Sequence, residues 1–252
     1  MDNLPLKTRD DFIEKGIQLK KVRKVAYEKI TPELLKCEPY IKKGWVKQNN
    51  KLDSVSNYIF RVDTYEKLLE EYNKNDENNK INNLSFEYVV HRFFNYKIST
   101  TIEKIITSYN ICAKVPDLRD KEKDLYIYNV PFDIKVTVLP KKFMKDINYK
   151  YNISDLKKRK VRNELIRWLY ENQSKEGRFH TGNRLFILCI GENQKNNNIL
   201  SNMKKTDFKQ IDEKVGIYLK CLHEGMPFNK VRIYNRKENR YVDVFSEIIF
   251  IS

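Results

Sequence analysis

The seven residues Phe132-Asp133-Ile134-Lys135-Val136-Thr137-Val138 constrain this chain more than any other stretch of it. Phe132, Ile134, Val136 and Val138 alternate toward one face, and Asp133, Lys135 and Thr137 share the other. Side chains alternate between the two faces of a strand, so the pattern predicts a strand that buries its apolar side and presents a carboxylate beside an ammonium on the opposite side. Its surroundings extend the same reading. Short strands are expected from about Ile98 to Leu139: a weak one near 98–107, then ICAKV, LYIYNV and FDIKVTV, with the charged turn LRDKEKD among them. RLFILCI at 184–190 reads as a buried strand, and VRIYN and YVDVFSEIIFI close the chain as two more.

Helices are expected between these strands. Ser85 can cap one through about Asn95, with Phe86, Val89, Val90, Phe93 and Phe94 on its apolar face. A second runs from a cap at Ser154 to about Asn172, packing Val161, Leu165, Trp168 and Leu169 inward, and a third spans about 207–223. The first 72 residues read as helical and basic, with Thr31, Pro32 and Glu33 in the order a helix start prefers. An amphipathic run from Val55 to Tyr72 then gives way to NKNDENNKINN at 73–83, which has no apolar period and is expected to be a linker. The chain therefore divides into a helical arm with its linker, 1–83, and an α/β domain, 84–252.

Composition decides which classes of partner remain. Of the 252 residues 40% are hydrophobic and 12% aromatic, enough for a buried core. Lys and Arg number 49 against 34 Asp and Glu, a formal net charge of +15 that favours polyanions. With only 7 Gly and neither GxxxxGK[ST] nor GxGxxG, the P-loop and dinucleotide readings lose their support. Apolar stretches are too short for a membrane span, and the amino terminus lacks the apolar segment of a secretory signal. Cys37, Cys112, Cys189 and Cys221 are too far apart for a CxxC pair, so reduced thiols in the cytoplasm are expected, with the last three packed in apolar surroundings.

The order helix, three strands, helix, strand from 84 to 190 carries one further set of residues. Pro116-Asp117 is the only Pro-Asp pair, Asp133-Ile134-Lys135 follows sixteen residues later on the amphipathic strand, and Glu87 lies on the preceding helix. Over about a hundred residues this order and spacing resembles the PD-(D/E)xK nuclease superfamily, and within it the type II restriction endonucleases. No similarity extends to the arm or the carboxyl-terminal third. The resemblance implies a restriction-endonuclease-like core, a central mixed β-sheet flanked by helices, and Mg²⁺-dependent hydrolysis of double-stranded DNA. Asp117, Asp133 and Glu87 would bind the metal and Lys135 would serve the attacking water. A homodimer and a cognate DNA methyltransferase follow by analogy alone. Independently of the resemblance, hard cations held by carboxylates neutralise phosphate charge and activate water, and Lys135 shares a face with Asp133.

Other features compete with this reading. DxK occurs four times, at Asp133, Asp155, Asp207 and Asp212; Asp155 and Asp207 sit at helix starts and Asp212 on a helix surface. Glu87 can instead contact His91 one turn along. Lys157, Lys158, Arg159 and Arg162 can lie along a phosphate backbone or form a solvated face, and Asn172, Gln173, Arg178, Asn183 and Arg184 are types that read base edges or line a surface turn. Gly216-Ile217-Tyr218 lacks the second half of a GIY-YIG nuclease, and His91, His180 and His223 have no HNH or zinc spacing. Two other functions stay open, a structure-specific or repair nuclease with the same site and a non-catalytic nucleic-acid-binding protein.

Overall fold

FDIKVTV forms the last seven residues of a nine-residue strand, Val130–Val138. The computed structural model describes residues 8–43, 46, 49–79, 85–117, 120, 122–147, 151–172, 181–191, 201–236 and 238–252. Among them the strands are β1 (Cys112–Lys114), β2 (Leu125–Ile127), β3 (Val130–Val138), β4 (Arg184–Cys189), β5 (Lys230–Asn235) and β6 (Arg240–Ile251). They form one open, mixed, six-stranded sheet in the order β1-β2-β3-β4-β6-β5. β1, β2 and β3 are an antiparallel meander, β3, β4 and β6 run parallel, and β5 returns antiparallel to β6. The fold is α/β.

A two-residue turn, Tyr128-Asn129, joins β2 to β3 with φ of 47° and 67°. Positive φ at both central residues is what a tight hairpin needs, and Asn accepts it more readily than Tyr. Tyr128 is held there from outside: its ring meets Phe12 edge-on at 5.5 Å and its hydroxyl lies 2.6 Å from His223 Nδ1.

Helices among the described residues include α1 (Arg9–Glu14), α2 (Thr31–Leu35), α3 (Glu38–Ile41), α4 (Asn50–Val55), α5 (Tyr65–Asn79), α6 (Phe86–Ile106), α7 (Lys141–Asp146), α8 (Arg159–Glu171) and α9 (Phe208–His223). β4 is buried along its whole length because helices cover both faces of the sheet. Leu185, Ile187 and Cys189 join a core with α6 and α9, whereas Phe186, Leu188 and Ile190 join a second core with α8. Leu34, Ile41, Ile59 and Leu68 of the arm pack into the first of these cores, against α6.

Several expectations are corrected. Ser85 caps α6 as expected, accepting from Tyr88 N at 3.2 Å, but the helix continues past Asn95 to Ile106 and absorbs the weak strand expected near 98–107. Ile98, Ile102, Ile105 and Ile106 are all buried at helical spacing, and the Thr100 and Thr101 hydroxyls bond back to carbonyls one turn earlier. Burial of that isoleucine face outweighs the β propensity of its residues. Residues 73–79, expected in the linker, continue α5, and 80–84 lie outside the described residues. Thr31 is the first residue of α2 and not its cap, its hydroxyl donating to the Tyr27 carbonyl at 3.0 Å. The basic helix expected from Ser154 is broken. Asn152 and Asp155 cap a 3-10 turn over Ile153–Lys157, Lys158 is extended, and α8 starts at Arg159. Asp207 caps α9 through Gln210 N at 3.0 Å. No helix among the described residues is long and apolar enough to cross a membrane.

The cysteines are free; Cys37 and Cys189 are buried, and burial pushes each thiol up to about 12. Behind Cys189 lies Lys205, buried just before α9, whose ammonium burial holds down to about 8. From pH 8 to 10.5 the unfolded chain binds this proton and the folded one does not, so the cost of burying the charge is full below pH 8 and fades as pH rises to 10.5. Chemical denaturation of Lys205→Met should therefore show a gain over wild type, roughly 3 kcal/mol at most, that is largest near pH 7 and shrinks across that window. A gain independent of pH would show that Lys205 carries no depressed titration.

Candidate functional site

β3 presents its polar face where β2 diverges from it. Asp133 is 3% exposed, yet Lys135, two residues along the same face, leaves 47% of its side chain in solvent. Lys135 Nζ donates to Asp133 Oδ1 at 2.5 Å. The other carboxylate oxygen accepts from Arg184 Nε at 3.0 Å. Arg184 is the residue opposite Asp133 in the β3/β4 register, and its guanidinium is packed 4.9 Å from the centre of the Tyr170 ring. A buried carboxylate is thus matched to one buried and one exposed cation, which is how a charge is tolerated in such a position.

Two further acids lie near this part of β3, Asp124 at the edge where β2 ends and Glu103 on α6, which packs on the opposite face of the sheet. Asp124 stands just before β2; its backbone N–H donates to Phe132 O at 2.9 Å and its Oδ2 accepts from Ile134 N at 2.7 Å. The carboxylate therefore takes over a backbone donor of β3 where the β2 pairing ends. Burial raises the Asp124 carboxyl above its ordinary value; the Ile134 N–H opposes this, Asp133 adds to the rise, and Lys135 opposes it. Glu103, near the carboxyl end of α6, is pushed up to about 7, by burial first and then by Asp124, against Lys114, Lys135 and Lys104. Asp124 thus interacts with Glu103, Asp133 and Lys135, and Glu103 with Lys135.

This grouping differs from the one the sequence suggests. Asp133 and Lys135 adjoin as expected. Asp124 is brought to them; Asp117 is exposed, and its carbonyl accepts from Asp120 N at 3.2 Å. Glu87 is in the first turn of α6, sixteen residues and so about 24 Å along the helix from Glu103. At that end the neighbours belong to the arm: Phe86 packs on Tyr40, Tyr65 and Tyr72, and His91 is buried with Nδ1 accepting from Val46 N at 3.1 Å. His91 is structural, with its proton affinity lowered by burial.

The residues suggested for nucleic-acid contact are dispersed. Lys157 and Arg159 are exposed, and Lys158 pairs with Asp155 at 2.6 Å. Arg162 is half-buried and pairs with Glu247 at 2.9 Å. Asn172 donates to Trp168 O at 3.0 Å and finishes α8. Asn183 ties strands together, accepting from Phe245 N at 2.8 Å and donating to Pro131 O at 3.0 Å. Arg184 is buried on Asp133, which leaves its fork unable to reach a base edge. Gln173 and Arg178 lie outside the described residues.

Sequence reasoning missed Glu103 because it read that segment as a strand, and Asp124 because it took the whole of LRDKEKD as a turn. The available signal was Asp124 directly before the apolar LYI of β2. Asp124 and Glu103 are both raised by burial and by a neighbouring negative charge, a repulsion of the kind that a bound hard cation relieves. Among the described residues no three His, Cys, Asp or Glu side chains are already close enough to hold a metal. To hold a cation, Glu103, Asp124 and Asp133 would have to move together, and Lys135 would have to yield some of its hold on Asp133. No protein-family model, no curated protein and no solved structure matches this chain.

Proposed function

We propose that the chain is a Mg²⁺-dependent endonuclease that hydrolyses DNA phosphodiester bonds, with Glu103, Asp124, Asp133 and Lys135 as its site. The observation that carries this reading is the half-exposed Lys135 side chain, its ammonium 2.5 Å from the buried Asp133, with Asp124 and Glu103 nearby. When bound by these acids, a divalent cation supplies charge neutralisation at phosphate and acidifies water. The protein residues do the rest. Lys135 offers a proton-bearing group that reaches solvent and can stabilise charge developing on the scissile phosphate. Glu103 would add a further carboxylate to those that hold the cation. Arg184 positions Asp133.

Sequence-specific restriction of double-stranded DNA by a homodimer, paired with a protective methyltransferase, is the setting that the resemblance supports. The net charge of +15 suits a DNA substrate. Incubation with unmodified plasmid DNA should give Mg²⁺-dependent cutting that EDTA abolishes, with discrete ends on sequencing. Glu103→Gln and Asp124→Asn should each lower the rate by at least about 10²-fold. Parental rates in both folded variants would remove these acids from the site, and cutting without a fixed end sequence would favour a structure-specific nuclease over a restriction enzyme.

A further inference from the structure

A cleft of about 850 Å³ opens between the arm and α6, lined by residues of 23–33 and 60–64 on one side and of 96–107 on the other, and it runs to Glu103 and to Lys114 of β1. That volume is on the scale of a pocket for a drug-sized molecule, enough for a few nucleotides of one strand. Its charges are not balanced. Of the acids lining it, Asp63 is paired with Lys97 at 2.8 Å, and Glu33 is held by Lys36 at 2.9 Å and by Tyr65 N at 2.7 Å. Arg23 is anchored through Nη2 to the Thr107 carbonyl at 2.9 Å. The ammonium groups of Lys29, Lys104 and Lys114 form no ion pair among the described residues, and all three residues are exposed. The acid left over is Glu103.

Aromatic surface accompanies this charge. Phe60 is 46% exposed, an unusual state for a phenylalanine, and stands edge-on to Tyr96 at 4.7 Å, both rings lining the cleft. The Arg92 guanidinium lies 5.5 Å from the centre of the Phe60 ring and backs it. A basic groove with flat rings is the combination by which proteins hold single strands, the cations following phosphates and the rings stacking on bases. A duplex keeps its bases stacked on one another and offers a ring like Phe60 nothing to stack on.

We propose that this cleft binds single-stranded DNA, with Phe60 and Tyr96 as the stacking platform and Lys29, Lys104 and Lys114 on the phosphates. That the strand leads to a hydrolytic site at Glu103 rests on the function proposed above; the binding itself does not. The substrate would then carry an unpaired segment, either present beforehand or opened as the protein binds.

The test is fluorescence anisotropy with a fluorescein-labelled oligothymidylate in EDTA, which needs neither metal nor cleavage, with a blunt duplex and heparin as competitors. Phe60→Ala should weaken oligothymidylate binding by about 5- to 100-fold and leave heparin competition unchanged, while Phe60→Trp retains the affinity. Lys104→Glu and Lys114→Glu, both on exposed positions where folding is not at stake, should each reduce the slope of log affinity against log salt by about 0.7. An unchanged affinity in Phe60→Ala, equal losses for oligothymidylate and heparin, or unchanged salt slopes would each overturn the proposal. The cleavage assay on Glu103→Gln is read separately: a parental rate there sinks the hydrolytic site, while the anisotropy alone decides the cleft.

Discussion

Arg184→Met is expected to destabilise the protein by about 3 to 5 kcal/mol, which for a chain of this size lowers the melting temperature by roughly 6 to 20 °C. The cause is the carboxylate left behind. Asp133 and Arg184 are each 3% exposed in their side chains, and their contact at 3.0 Å offsets the cost of taking both charges out of water. Lys135 remains on the other oxygen of Asp133, so the loss should fall toward the lower end of the range. The double variant Asp133→Leu with Arg184→Met should recover most of the stability, since well-packed apolar pairs replace buried ion pairs at little cost. Thermal denaturation of the two single variants and the double gives the coupling directly. A loss below about 1 kcal/mol in Arg184→Met would mean that water reaches this pair and that Arg184 does not position Asp133.

Lys135→Ala should slow DNA cleavage by about 10² to 10³, roughly 3 to 4 kcal/mol of transition-state stabilisation, while DNA affinity measured in Ca²⁺ changes little. Lys135 is the member of the site that separates a nuclease from a binding protein. Its side chain is 47% exposed on a strand-borne stem, so it can meet charge that develops only during reaction, whereas loss of an acid disturbs both chemistry and metal affinity. Single-turnover cleavage and Ca²⁺ anisotropy measure the two quantities apart. Parallel losses of rate and affinity would make Lys135 a phosphate-binding residue. No change in either would leave Asp133 and Lys135 as an ion pair on a strand face, and the proposed activity would lose its main support.

Both predictions concern residues whose neighbours were unequally legible in the chain. The period-2 pattern of FDIKVTV settled that Asp133 and Lys135 share a face, because strand geometry alone fixes that relation. Likewise the apolar run of LFILCI gave a strand covered on both sides, and Ser85 and Asp207 marked true helix starts, since a cap satisfies backbone donors within three residues of itself. These are local rules, and local sequence answers them.

Pairings across the fold were another matter. That Asp133 meets Arg184 depends on the parallel register of β3 and β4, whose residues are 51 apart in sequence. Asp124 instead of Asp117 joins the site because β2 pairs with β3 only from Leu125 onward, which sets the carboxylate of the preceding residue on the Ile134 N–H. Glu103 instead of Glu87 joins because the buried isoleucines of α6 carry the helix eleven residues beyond Asn95, bringing its far end to the sheet while its start is taken up by the arm. The chain by itself determined which residue types share a face and where several elements begin, because those follow from the geometry of one strand or one turn. Which acid reaches which cation was decided by the tertiary structure, because strand register and helix length are set by apolar surface buried between segments far apart in the chain.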